Sequence, residues 1–506
     1  MANQQSKRVI VVGAGIGGLC AAVRLAANGA DVTLVEAHAG PGGKMRVVPS
    51  AAGPVDAGPT VLTMRHVLDE VFHAAGARLD DHLTLIPQPI LARHWWPDGS
   101  TLDLHADSEA SAAAIGRFAG NRAEADFRRF NRLSARLFAA FDAPMMQAAQ
   151  PQIARIGANA LCRPDIWPAL MPGRTLAKYL MQAFEDPRLR QLFGRYATYV
   201  GGAPDLSPAV LALIWRAEAQ GVWAVQGGMH GLARALADLA HVKGAMLNYG
   251  VSVRKIETRG GCVSGVALSD GRILKCDAVV FNGDPAALLA GLLGNGAQGA
   301  LPVAAAHPRS LSAWVWSFAA HPTGPELALH NVFFASDPAQ EFGPITKGQM
   351  PVDATLYVCA QDRQTATRPT GPPRPAGPPR PAGPERFQII MNAAARTTPN
   401  VGETEQCRIR TFQRLKQFGL SFDLTPPDSA CTGPSGFAAM FPGSQGALYG
   451  RSPHGMLASF QRPGARTALP GLYLAGGGAH PGAGVPMAAL SGRHAAEAIL
   501  KDLALM

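Results

Sequence analysis

The 506-residue chain is long enough for two or three ordinary domains, and its 47% hydrophobic content supplies core material for them. Lys and Arg number 46 against 36 Asp and Glu, a formal charge of +10. With no dense basic block and no nucleic-acid motif, that balance argues against a nucleic-acid partner and fits an anionic membrane surface or a soluble Arg-rich protein. The seven cysteines are odd in number, scattered and without a C-x-x-C pair, which excludes a disulfide or zinc framework and points to a reducing compartment.

The first informative stretch is "VIVVGAGIGGLC", residues 9–20. A membrane span needs roughly 20 apolar residues, and this run reaches Arg24 too soon and is too rich in glycine. It is expected to be neither a span nor a targeting signal. Arg8 to Val12 read as a short buried strand, and Gly13, Gly15 and Gly18 form G-x-G-x-x-G. Leu19, Ala22, Val23 and Ala26 then recur at helical spacing until Asn28-Gly29, and a second strand, Val32 to Val35, ends on Glu36. In that order the elements predict dinucleotide binding. Gly13 permits the strand-to-helix turn, Gly15 admits a pyrophosphate, Gly18 lets helix and strand pack closely, and Glu36 accepts from an adenosine ribose.

Pro41-Gly42-Gly43-Lys44 and Asp56-Ala57-Gly58-Pro59-Thr60 follow as glycine-containing turns, the first of which places a cation near the phosphate site. From about His66 to Ala219 the pattern is mostly helical, interrupted by a hairpin, "HWWPDGSTLDL", turning at Pro97-Asp98-Gly99. Glu124 to Phe141 and Asp186 to Tyr199 are amphipathic and Arg-rich, and an apolar helix is expected over Ser207 to Trp215. Apolar helices beside arginines suit either an interfacial patch or ordinary packing. Gly250 to Phe281 returns to strands ("VSVRKIET", "CVSGVALS", "RILKCDAVVF"), and Asn282-Gly283-Asp284-Pro285 begins a helix.

A "GPPRPA" repeat inside the Pro-rich stretch 365–384 builds no core and is expected to be a flexible surface insertion. The last block is "GLYLAGGGAHPGAGVPMAALSGRHAA": a strand over Leu472 to Ala475, glycines 476–478, then a helix starting near Val485. His480, between two glycine clusters, is balanced between a packing role and a place beside a cofactor.

Five ordered blocks, "VVGAGIGGL" with Glu36, "PGGKM", "DAGPT", the strand leading to "NGDP", and the C-terminal glycine block, resemble the phytoene desaturase family of carotenoid desaturases from residue 8 to about 500. Within it, "GPVDAGPTVLTMR" and "HWWPDGSTLDL" are most similar to the bacterial 1-hydroxycarotenoid 3,4-desaturases, the hydroxyneurosporene and methoxyneurosporene desaturases. The resemblance implies an α/β protein: a Rossmann-type FAD-binding domain, like those of amine oxidases and glutathione reductase, assembled from 1–75, 220–300 and 440–506. An α+β substrate and membrane-facing domain, 76–219 and 301–439, is inserted in it.

The resemblance also implies that FAD meets Gly13, Gly15 and Gly18 at its pyrophosphate, Glu36 at its ribose, Gly43 and Lys44 on its phosphate and ribityl side, and Val253 at its adenine edge. Gly476, Gly477 and the helix start at Val485, Pro486 and Met487 flank the isoalloxazine. Relatives often have Thr where this chain has Ala479 and Gly where it has Met487. The implied reaction removes two hydrogens next to a polyene of a 1-hydroxyneurosporene-like carotenoid. Conjugation can spread the charge, so no catalytic base is assigned. A water-insoluble carotenoid substrate implies peripheral association of a cytoplasmic protein with the inner or intracytoplasmic membrane. The electron acceptor, whether oxygen, quinone or another carrier, stays open. So do a phytoene desaturase, a carotenoid isomerase, an FAD amine oxidase and a non-catalytic lipid escort protein.

Overall fold

The computed structural model describes residues 7–364 and 383–505. All but the last two positions of the Pro-rich stretch 365–384 lie outside those residues.

Arg8–Val12 is the central strand of a five-stranded parallel sheet, ordered Leu472–Leu474, Ala278–Phe281, Arg8–Val12, Asp31–Val35, Met246–Asn248. Its residues alternate between two cores, as the strand period of two requires. Val9 and Val11 face a helical layer, and Ile10 faces a small antiparallel sheet of Val253–Arg259, Cys262–Leu268 and Ile273–Lys275. The helical layer contains Ile16–Ala27, His230–Val242 and Val485–Asp502. The first and last of these cross where a Cβ on Gly492 would lie 2.2 Å from the Gly17 carbonyl oxygen, so the close approach requires glycine.

The segment "RILKCDAVVF" divides where a single strand was expected. Ile273–Lys275 completes the small sheet and Ala278–Phe281 joins the parallel one. The cause is Asp277: its amide donates to the Arg8 carbonyl and its carboxylate accepts the Arg8 amide at 2.8 Å, so the chain changes sheets there.

A seven-stranded mixed sheet runs Cys431–Thr432, Ser312–Ala320, Glu385–Ala393, Leu356–Ala360, His330–Phe333, Ile90–Trp95, Thr101–His105. The last two form the expected hairpin. Phe333, Leu356 and Val358 face a core shared with the helix Glu403–Gln417, whereas Val332 and Leu91 face the helices between 108 and 219. The apolar segment 207–215 is a short 3-10 turn followed by the helix Leu213–Ala219, and it is internal: Trp215 is fully buried. Among the exposed apolar residues are Ile153, Leu161, Trp167, Met171 and Met181.

Candidate functional site

The glycine turn between Arg8–Val12 and the helix Ile16–Ala27 is built as its spacing predicts. Gly13 has φ +101°, which only glycine adopts without strain. A Cβ on Gly18 would meet the Gly13 carbonyl oxygen at 2.1 Å, and one on Gly17 would meet the amide nitrogen of Gly476 at 2.5 Å. The turn therefore packs directly against the C-terminal glycine cluster. The leading amides of the helix have no intrahelical acceptor, and its dipole adds positive potential at the turn.

Glu36 is buried beside this turn. One carboxylate oxygen accepts the Ala14 amide at 2.6 Å and the other accepts the His38 amide at 2.8 Å. Each oxygen keeps a lone pair for a further donor such as a ribose hydroxyl. Val251 donates to the Glu36 carbonyl and Gly250 to that of His38, which brings the strand carrying Val253 alongside the acid. Val253 itself starts that strand, paired with Leu268.

The Gly42-Gly43-Lys44 turn lies against the first: Gly42 donates to the Ala14 carbonyl at 2.8 Å, and a Cβ on Gly43 would sit 3.3 Å from the Cα of Gly15. The Lys44 ammonium reaches past the turn and donates to the Leu448 carbonyl at 2.6 Å. Burial pulls its pKa down to about 8, against the opposing pull of Asp284.

Asn282, at the end of Ala278–Phe281, closes the turn from the other side. Its side-chain Nδ2 donates to the Gly13 carbonyl at 3.1 Å, while its Oδ1 is buried and has no partner among the described residues. Gly476 (φ +95°) donates to Ser491 Oγ at 2.7 Å and packs on Asn282. Next to it, nothing lies within 4 Å of a Cβ placed on Gly484, which caps the helix beginning Val485-Pro486-Met487. An unpartnered acceptor, open space at a helix start and an acid with free lone pairs fit an extended dinucleotide.

Two arginines of this region, Arg462 and Arg309, gave no pattern in the sequence. Arg462 is buried and holds three carbonyls, those of Gly477, Tyr449 and Arg451, each at 2.8 Å, and burial pulls it down to about 10. Arg309 pairs with Asp284, which caps the helix Pro285–Leu289. Asp56 of "DAGPT" accepts the amides of Met229 and His230 at 2.7 and 3.1 Å and so anchors the helix His230–Val242. His480 is fully internal, bonds the Ala148 carbonyl at 3.0 Å and stacks on His494.

Comparison with known proteins agrees with this architecture. The profile of the flavin containing amine oxidoreductase family matches residues 16–311 and 384–500. The chain is 62% identical to the hydroxyneurosporene desaturase of Cereibacter sphaeroides, over 98% of both chains. The corresponding figures are 54% for that of Rhodobacter capsulatus, over 98% of both, and 43% for that of Rubrivivax gelatinosus, over 99% of this chain and 94% of the relative. Among solved structures, an oxidoreductase from Methanosarcina mazei superposes with a TM-score of 0.62 at 17% identity, covering 97% of this chain and 100% of that one. A putrescine oxidase variant does so with 0.60 at 12% identity, covering 98% and 99%. At these identities the likeness is one of fold.

Proposed function

This chain belongs to the flavin containing amine oxidoreductase family, and on that premise we propose that it is an FAD-dependent carotenoid desaturase that introduces the C3–C4 double bond of a 1-hydroxycarotenoid such as 1-hydroxyneurosporene. The observation that carries the reading is its 62% identity to a hydroxyneurosporene desaturase over nearly the whole of both chains. Identity of that extent leaves little support for an amine oxidase, an escort protein or a desaturase of an earlier pathway step.

Bound FAD supplies the hydride acceptor that breaking a C–H bond beside a polyene requires. The residues supply everything around it. Gly13, Gly15 and Gly18 leave room for the pyrophosphate at the positive end of the helix Ile16–Ala27. Glu36 would accept from the ribose hydroxyls, and Val253 would line the adenine edge. Gly43 and Lys44 run along the ribityl side, with Arg462 fixing Gly477 behind them. Gly476, Gly477 and the helix start Val485-Pro486-Met487 would hold the isoalloxazine, where the helix N-terminus would favour negative charge.

The carotenoid must be held with C3 and C4 against that ring while its second hydrogen leaves as a proton. Once the hydride is lost, conjugation would spread the positive charge along the chain and acidify the neighbouring C–H, so a weak acceptor such as water would take the proton and no strong base is needed. The substrate arrives from a bilayer, and we assign docking to the region carrying Ile153, Leu161, Trp167 and Met171. Leu161 is 74% exposed, and Arg155 and Lys178 stand in the same region to meet anionic headgroups. Among the described residues no helix is long and apolar enough to cross a membrane.

An anaerobic half-reaction tests the reading. FAD-loaded protein on liposomes, mixed with 1-hydroxyneurosporene, loses its oxidised-flavin absorbance, and phytoene leaves it unchanged. Bleaching by phytoene alone would move the protein to the earlier desaturation.

A further inference from the structure

One group of buried polar side chains is unexplained by flavin binding. It lies on the face of the seven-stranded sheet that looks toward the helices between 108 and 219. His330 and Tyr357 alternate with the core-facing Phe333, Leu356 and Val358, so the strand period turns them to that face. Tyr357 Oη is 2.7 Å from His330 Nδ1 and 2.7 Å from Thr60 Oγ1, making a string of three. Thr60 is two residues beyond Gly58, whose Cα packs so closely on Lys44 that a Cβ there would lie 2.0 Å from the Lys44 carbonyl oxygen. The string therefore begins beside the segment assigned to the flavin.

At its other end stands Arg195. Its guanidinium lies 5.0 Å from the Tyr199 ring centroid and 5.4 Å from that of Tyr196, and both phenols donate to the buried Glu218 carboxylate, at 2.7 and 2.8 Å. Arg195 Nε and Nη2, together with Nε2 of the buried His330 and of the neighbouring His94, have no hydrogen-bond partner among the described residues. Arg195 is close enough for its charge to reach both imidazoles, which burial and that charge together hold down to about 3. Both histidines are thus neutral.

We propose that Arg195 and His330 bind the hydroxyl at the end of the carotenoid and so set the substrate choice of this chain. The inference rests on the desaturase reading above. Guanidinium N–H groups only donate, and a neutral imidazole nitrogen can accept. A hydroxyl takes the first on its oxygen and gives its proton to the second. An anion fits less well, because Glu218 already offsets the charge of Arg195.

The test compares kcat/KM of FAD-loaded protein on liposomes for 1-hydroxyneurosporene and for neurosporene, which has the same conjugated polyene and an isolated C1=C2 double bond in place of the hydroxylated carbon. The variants are the charge-balanced pair Arg195→Met with Glu218→Gln and, separately, His330→Phe. The wild type favours the hydroxylated substrate; the Arg195 pair lowers that ratio about ten- to hundredfold, the worth of a charge-assisted hydrogen bond, and His330→Phe lowers it up to about tenfold, the worth of a neutral one. Bound-flavin spectra stay unchanged and neurosporene turnover is kept. An equal loss on both substrates would make the cluster structural and overturn the proposal. A wild type that converts both equally would overturn it while leaving the desaturase reading standing, and one that converts neither would overturn both.

Discussion

Glu36 accepts the backbone amide of Ala14 at 2.6 Å, so the acid that ends the second strand is bonded into the glycine turn that follows the first. Two segments 22 residues apart in sequence become one binding surface through this contact.

Replacing Glu36 by Gln tests that contact. The amide group presents a donor where Ala14 and His38 already donate, and it loses the charge that strengthens a ribose hydrogen bond. FAD affinity, measured by fluorescence titration of apoprotein, is expected to fall about ten- to hundredfold, with the fold retained by circular dichroism. An unchanged Kd would remove Glu36 from the cofactor site.

Gly18→Ala acts through packing. Its Cβ would sit 2.1 Å from a backbone oxygen that a rotamer change cannot move, so the helix must shift away from the strand. A loss of about 1–3 kcal/mol is expected in urea unfolding, together with weak FAD retention. Gly29→Ala is a fitting control, since nothing lies within 4 Å of its Cβ; its φ of +81° gives strain without a clash and leaves FAD binding intact.

Glu341 gives the chain a pH dependence away from the site. Burial, with Asp353 adding in the same direction, raises its carboxyl from 4.5 to about 7, against hydrogen bonds from Asn392 and Thr355. Between those values the folded state holds a proton that the unfolded state has released. Its contribution is therefore complete below about pH 4.5 and lost as pH rises through about 7, a change of about 3 kcal/mol at most. Subtracting the stability profile of Glu341→Gln from that of the wild type should leave this falling slope; parallel profiles would place the ionisation elsewhere.

Membrane docking is checked by Leu161→Ser combined with Trp167→Ala. Both side chains are exposed, so stability should hardly move. Co-sedimentation with anionic liposomes should drop severalfold, and wild-type binding should weaken with salt. Equal sedimentation of the two proteins would put the membrane-facing surface somewhere else.

The nucleotide half of the molecule was legible in the sequence because its signals are local. A strand, three glycines, a helix and an acid occupy Arg8 to Glu36 without interruption, and the helix start at Val485 is announced by Gly484 and Pro486. The rest depends on contacts distant in sequence. Arg462 lies in a segment without periodicity and becomes a linchpin only when the carbonyls of Tyr449, Arg451 and Gly477 converge on it. Arg195 reads as one arginine of an amphipathic stretch, and its surroundings exist only once the strands of His330 and Tyr357 pair. The apolar segment ending at Trp215 suits a core more often than a membrane surface, and its packing against Phe127 and Phe193 is that of a core.

Product analysis tests the central claim most directly. Purified protein, FAD and liposomes are incubated with 1-hydroxyneurosporene and with phytoene separately, and the carotenoid is examined by absorption spectrum and mass. Loss of two hydrogens with a red-shifted spectrum from the hydroxylated substrate alone is the predicted result. Conversion of phytoene in its place, or of neither carotenoid by protein that has bound flavin, would contradict it.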